Sequence, residues 1–134
     1  CGWTDPDSRR TYPWGHEDQE LIRFHKDMIA IHKKYKALKL GSIKFLGGQW
    51  NVITYGRFDQ DSQLVIALNN HPAEAKIIDI PVWQLGILDE EKLECLIETT
   101  PYGYALNTGT MQVYNGRIHM ELPAESAFVL YHGK

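Results

Sequence analysis

The hydrophobic pattern of this 134-residue chain changes period at Gly41, and that change limits the folds open to it. Before it, Leu21, Phe24, Met28, Ile31, Tyr35 and Leu38 fall at steps of three and four, with Ile22 and Ile29 widening the stripe. Apolar residues at that spacing share one helix face, so residues 17–40 are predicted as one long helix. Glu17, Asp18 and Glu20 stand in its first turn and Lys33, Lys34, Lys36 and Lys39 crowd its end, which suits the helix dipole at both termini. Gly41 is expected to stop the helix by taking the left-handed cap conformation.

After Gly41 the pattern shortens to runs with period two. Strands are predicted near 43–46, 50–57, 63–69, 75–80, 93–98, 111–114, 117–122 and 127–132. In "RIHMEL" (117–122), Ile118, Met120 and Leu122 should face inward while Arg117, His119 and Glu121 face water. "LVIAL" (64–68) is apolar throughout and should be a central strand. Turn chemistry separates the runs at "GG" (47–48), "DQDS" (59–62), "NNHPAE" (69–74), "YNG" (114–116) and "PAES" (123–126). Residues 83–94 read as a connection or a short helical turn. Short strands at this spacing predict a mainly β protein, an antiparallel β-sandwich over 42–134. A sandwich core does not need the long helix. The helix is therefore expected to pack on the sandwich with one face and on a further element with the other.

Charge and composition narrow the function classes. Residues 1–41 hold eight Lys/Arg against six Asp/Glu, and the remainder six against eleven, giving +2 and −5. No basic patch is interleaved with aromatics, so nucleic acid is not an expected partner. No apolar run reaches membrane-span length, so no membrane partner is expected either. Residues 1–15 lack the basic-then-apolar pattern of a secretory leader; they leave the location unknown, with a bacterial cytoplasmic one favoured over secretion. Cys1 and Cys95 make no disulfide framework. None of the six histidines shows the i, i+4 spacing of a helical zinc site, so neither a metal nor a cofactor is expected. Trp14 is expected to anchor the opening loop to the helix, and Trp50 and Trp83 to pack at core edges. Tyr102 and Tyr104, in the "TPYGYALNTG" loop, are the better exposed aromatic candidates for stacking on a ring-shaped ligand. The acidic run Asp89–Glu91 reads as a solvated turn.

The opening stretch, "GWTDPDSRRTYPWG" (2–15), resembles the region after the last barrel strand in glycoside hydrolase family 13, the α-amylase family. The match is closest to its neopullulanase, cyclomaltodextrinase and amylopullulanase branch. "ELIRFHKDMIAIHKKYKALKLGSIKFL" (20–46) is similar to the last barrel helix and the step into the C-terminal domain. "NVITYGRF" (51–58), "LVIALNN" (64–70), "IPV" (80–82) and "LPAESAFVL" (122–130) resemble that all-β domain. The resemblance implies that residues 1–41 are the last loop and helix of a missing (α/β)8 barrel and 42–134 the C-terminal sandwich. It further implies a parent enzyme that cleaves α-1,4 or α-1,6 glucosidic bonds in starch-type glucans.

A retaining glycosidase needs a nucleophilic carboxylate and a general acid about 5–5.5 Å apart. The family segments that carry them, G-x-R-x-D and N-H-D, do not occur here, so no catalytic residue is assigned. The resemblance does assign sugar contacts. Asp5 and Arg9 match a D-P-x-x-R element whose acid and arginine touch a glucose ring in the intact enzyme. A carboxylate accepts from two hydroxyls and a guanidinium donates in a fixed fork, so the pair suits a sugar. The expected partners are an α-glucan, met through the parent enzyme, and the missing barrel, with a homodimer as a further expectation. Two other roles fit the residues: a carbohydrate-binding module for α-glucans, or a structural dimerisation domain.

Overall fold

Asp18 starts the first helix. Its carboxylate oxygen Oδ1 accepts the backbone N–H groups of Glu20 and Leu21, both at 3.0 Å, which satisfies two donors the helix leaves open. The computed structural model describes residues 10–133. These fall into two compact units with the boundary between Ala30 and Ile31. Helix α1 (Gln19–Lys34) spans that boundary, with Glu20 in its first turn and His32, Lys33 and Lys34 in its last. In the first unit the rings of Tyr12 and Trp14 meet edge-on at 4.7 Å. Trp14 stays exposed beside Tyr12 rather than anchoring the loop, which corrects its expected role.

The predicted single helix breaks at Tyr35. That residue is extended (φ −97°, ψ 113°), and a second short helix, α2 (Lys36–Leu40), follows it. The break lets Tyr35 bury its ring against Tyr131, with centroids 4.6 Å apart, while Ala37 is fully buried behind it. Packing here overrides helical periodicity. Gly41 is also not left-handed: its φ is −74° and its ψ 164°. Glycine is needed there for space, because a Cβ would collide with the Ala37 carbonyl and lie 2.6 Å from that of Phe58.

Eight antiparallel strands follow: β1 (Ser42–Gln49), β2 (Val52–Phe58), β3 (Ser62–Asn69), β4 (Lys76–Ile80), β5 (Lys92–Thr100), β6 (Gly103–Gln112), β7 (Ile118–Leu122) and β8 (Ser126–Gly133). Six form one sheet in the order β1-β2-β3-β8-β5-β6, and β4 and β7 form a second. All the pairings are antiparallel. β3 is central and buried along nearly its whole length, as its apolar run predicts. β7 alternates buried and exposed as predicted, with Ile118, Met120 and Leu122 inside. The core joins Val65, Ala67, Leu93, Cys95 and Leu130 of the large sheet to Ile78, Ile80, Ile118, Met120 and Leu122 of the small one. Val82, Leu85, Ile87 and Val113 of the connections close it. This is the antiparallel β fold read from the sequence.

Three local readings change. The glycine pair 47–48 is not a turn but lies inside β1, at a bulge between Phe45 and Gly47. The turn moves to Trp50 and Asn51, where Asn51 takes φ 64°. The "TPYGYALNTG" stretch is not a loop: only its first residues turn, and Gly103–Gln112 form β6. Its glycines and Asn107 (φ 53°) bend the strand rather than end it. Residues 83–94 resolve into a 3-10 turn at Val82–Leu85, stopped by left-handed Gly86 (φ 79°), then a connection into β5.

Two polar side chains fix the turns that set strand register. Asn69 is buried, and its Nδ2 donates to the carbonyls of Glu74, Leu122 and Pro123 while its Oδ1 accepts the His71 N–H. That one side chain ties the end of β3 to the end of β7. Asp59 performs the same service between β2 and β3.

Candidate functional site

The residues singled out from the sequence do not form one site. Asp5 and Arg9 lie outside the described residues. Tyr102 stands at the tip of the β5–β6 turn, 96% exposed, with its backbone N–H donating to Thr100 Oγ1 at 3.2 Å. Tyr104 is half-buried on β6 opposite Thr99. Trp83 is 57% exposed and sits on the 115–116 turn: its N–H donates to the Gly116 carbonyl at 2.9 Å. A Cβ on Gly116 would lie 2.8 Å from the Trp83 Cβ, so Trp83 is held by close backbone approach.

The acidic run lies in an exposed turn, as its sequence reading expects, and is also tied into the fold. Asp89 accepts the Gly116 N–H, and Glu91 Oε2 accepts the Leu88 N–H at 2.6 Å. Glu91 Oε1 lies 3.5 Å from His132 Nε2, and His132 Nδ1 meets buried Gln63 Oε1 at 2.8 Å. His71 Nδ1 accepts the N–H groups of Ala73 and Glu74, and His25 Nδ1 donates to the Leu21 carbonyl. These rings are spent on local structure. Among the described residues no three His, Cys, Asp or Glu side chains gather closely enough to hold a metal ion. Cys95 is a free, buried thiol, and burial pushes its pKa up, so it is poorly suited to act as a nucleophile.

A cleft opens where β4 of the small sheet passes over the β1–β2 hairpin of the large one. It measures about 300 Å³ and is lined by Gly47, Gly48, Gln49, Val52, Thr54, Ile77, Ile78 and Asp79. Its shape follows from the bulge. Gly47 takes φ 153°, and Thr54 Oγ1 donates to its carbonyl at 2.9 Å, which pins the strand in that bend. With no side chains on Gly47 and Gly48, the space above the hairpin stays open. On the far wall, Asp79 Oδ1 accepts from His119 Nδ1 at 2.7 Å, across the β4–β7 pair. Trp50 follows Gln49 in the turn and is 83% exposed, so the expected core-edge packing does not occur. The sequence signal for this cleft was "GGQW" (47–50), which reads as a turn unless the bulge is known.

No family model matches the chain. Its sequence is 30% identical to an amylopullulanase of Thermoanaerobacterium thermosulfurigenes over 96% of this chain and 7% of that protein. It is 31% identical to a cyclomaltodextrinase of Geobacillus thermopakistaniensis (strain MAS1) over 78% of this chain and 20% of that one. In structure it is similar to an Anoxybacillus α-amylase, with a TM-score of 0.76 and 20% identity, over 96% of this chain and 25% of the neighbour. The chain thus spans a quarter or less of the length of these relatives.

Proposed function

We propose that this chain, a homologue of one segment of the α-amylase family of glycoside hydrolases, serves as the C-terminal accessory segment of such an enzyme. The observation that carries the reading is the alignment of 96% of the chain with 7% of an amylopullulanase, supported by the likeness in fold to part of an α-amylase. The parent hydrolyses α-1,4 or α-1,6 glucosidic bonds in starch-type glucans by the retaining mechanism. In this reading residues 1–41 complete the catalytic barrel and 42–134 form the β domain that braces it. Asp5 and Arg9 then sit on the rim of the sugar cleft. In this reading the nucleophile and general acid come from the barrel, while Asp59, Asp79, Asp89 and Glu91 of this chain each accept bonds that hold local structure.

The test compares the 134-residue chain with the same chain joined to the coding sequence upstream of Cys1. Reducing-sugar release from maltooligosaccharides and pullulan is expected from the longer protein and not from the chain alone. Hydrolysis by the chain alone would overturn the reading, as would an upstream sequence with no pair of barrel carboxylates.

A further inference from the structure

We propose that Asn115 is a deamidation site, where the side-chain amide is lost to attack by the backbone nitrogen of Gly116, and that Asp89 holds its rate down in the folded protein. Of the five asparagines in the chain, Asn115 alone precedes a glycine. The others precede Val52, Asn70, His71 and Thr108, whose side chains crowd the following nitrogen. Gly116 has no Cβ to hinder its nitrogen in reaching the Asn115 Cγ. Asn115 is also exposed, in the two-residue loop that joins Tyr114 to Arg117.

The reaction needs only water. The Gly116 N–H loses its proton to solvent base, and the nitrogen attacks the Asn115 Cγ. A C–N bond forms, the bond from Cγ to Nδ2 breaks, and Nδ2 leaves as ammonia. Water then opens the cyclic imide at either carbonyl, giving aspartate or isoaspartate.

The fold opposes the first step. Asn115 and Gly116 take φ 50° and φ 71°, the left-handed pair of a type I′ turn. Across it the Tyr114 and Arg117 backbones exchange hydrogen bonds of 3.0 and 2.9 Å. The Gly116 N–H donates to Asp89 Oδ1, and its carbonyl accepts the Trp83 N–H at 2.9 Å. Its Cα lies against Trp83, where a Cβ would sit 2.8 Å from the Trp83 Cβ. Gly116 is therefore held at its nitrogen, its carbonyl and its Cα, and lacks the rotational freedom that ring closure requires. Asp89 acts most directly, because it holds the proton that must leave. A carboxylate is too weak a base to take that proton, and its charge disfavours the amide anion that makes the attack. Isoaspartate adds a carbon to the main chain of a loop fixed at two residues, so the Tyr114–Arg117 bridge does not survive the change intact.

The experiment incubates the 134-residue chain at mildly alkaline pH and follows each asparagine by peptide mass, which rises when an amide becomes an acid. In urea, Asn115 should convert first. In the folded chain it should convert slowly, and Asp89→Ala should speed it about tenfold, the worth of one hydrogen bond to a charged group expressed as a rate. Glu91→Ala, which removes the bond to the Leu88 N–H in the same connection, should leave the Asn115 rate unchanged. Asp89→Asn keeps an accepting oxygen without the charge and should fall between the parent and Asp89→Ala; it carries the test where Asp89→Ala does not fold. An unchanged rate in the Asp89 variants would overturn the proposal, as would an equal rise in Glu91→Ala, or another asparagine converting first in urea.

Discussion

Asp59 shows how a single side chain can govern a strand junction. Its Oδ1 accepts the N–H of Asp61 at 3.0 Å, the N–H of Ser62 at 2.9 Å and the Ser62 hydroxyl at 3.2 Å. The Asp61 N–H does most to hold its carboxyl below the ordinary carboxylate pKa; desolvation opposes it, and the Ser62 groups and the Lys36 charge add to the lowering. A folded-state pKa below the unfolded value, about 3.9, means the ionised form stabilises the fold above that value. That contribution is lost as pH falls through the folded pKa. Asn at this position keeps an accepting oxygen but has no proton to take up. Asp59→Asn should therefore lose less stability than the parent chain between about pH 5 and pH 3, read as the shift in urea midpoint. Equal acid sensitivity in the two proteins would refute this. At this scale the sequence was readable wherever a residue acts on its near neighbours, as in "DQDS". It was not readable at Gly47 and Gly48, whose place inside a bulged strand depends on pairing with β2.

Among elements, the contact of β2 with the 3-10 turn at Val82–Leu85 is the most exacting. Gly56 of β2 faces Leu85, and a Cβ there would lie 2.6 Å from Leu85 Cδ1 and 2.7 Å from Cδ2. Both residues are buried, so the leucine has little room to move. Gly56→Ala should cost about 1–3 kcal/mol in chemical unfolding, the usual penalty of overpacking. Combining it with Leu85→Ala should cost less than the sum of the two single changes. Additive costs would mean that the strand shifts instead. The elements themselves were legible because period two and period 3.6 differ strongly over a few residues. What escaped was the break at Tyr35, where the gain from stacking on Tyr131 comes from a residue nearly a hundred positions away. The same holds for β6: its "LNTG" segment has loop composition, yet it pairs with β5 through a register shift between Cys95 and Ile97.

At the scale of the molecule, fold class followed from counting strands, whereas strand order did not, because pairing is not a local property. β8 lies between β3 and β5, and the hydrogen bonds on both of its sides belong to the large sheet. A chain ended at Glu125 should lose cooperative unfolding and become insoluble, while one ended at Gly133 should fold; a soluble, cooperatively unfolding product of the first truncation would contradict this. The position of β8 also sets a schedule. During synthesis β3 leaves the ribosome with one apolar edge unpaired, and its partner is some sixty residues behind. At about 5–20 residues per second that edge waits for several seconds, long enough to find another nascent chain. Anything that shields β3 until translation catches up should therefore raise the yield of this protein in a cell.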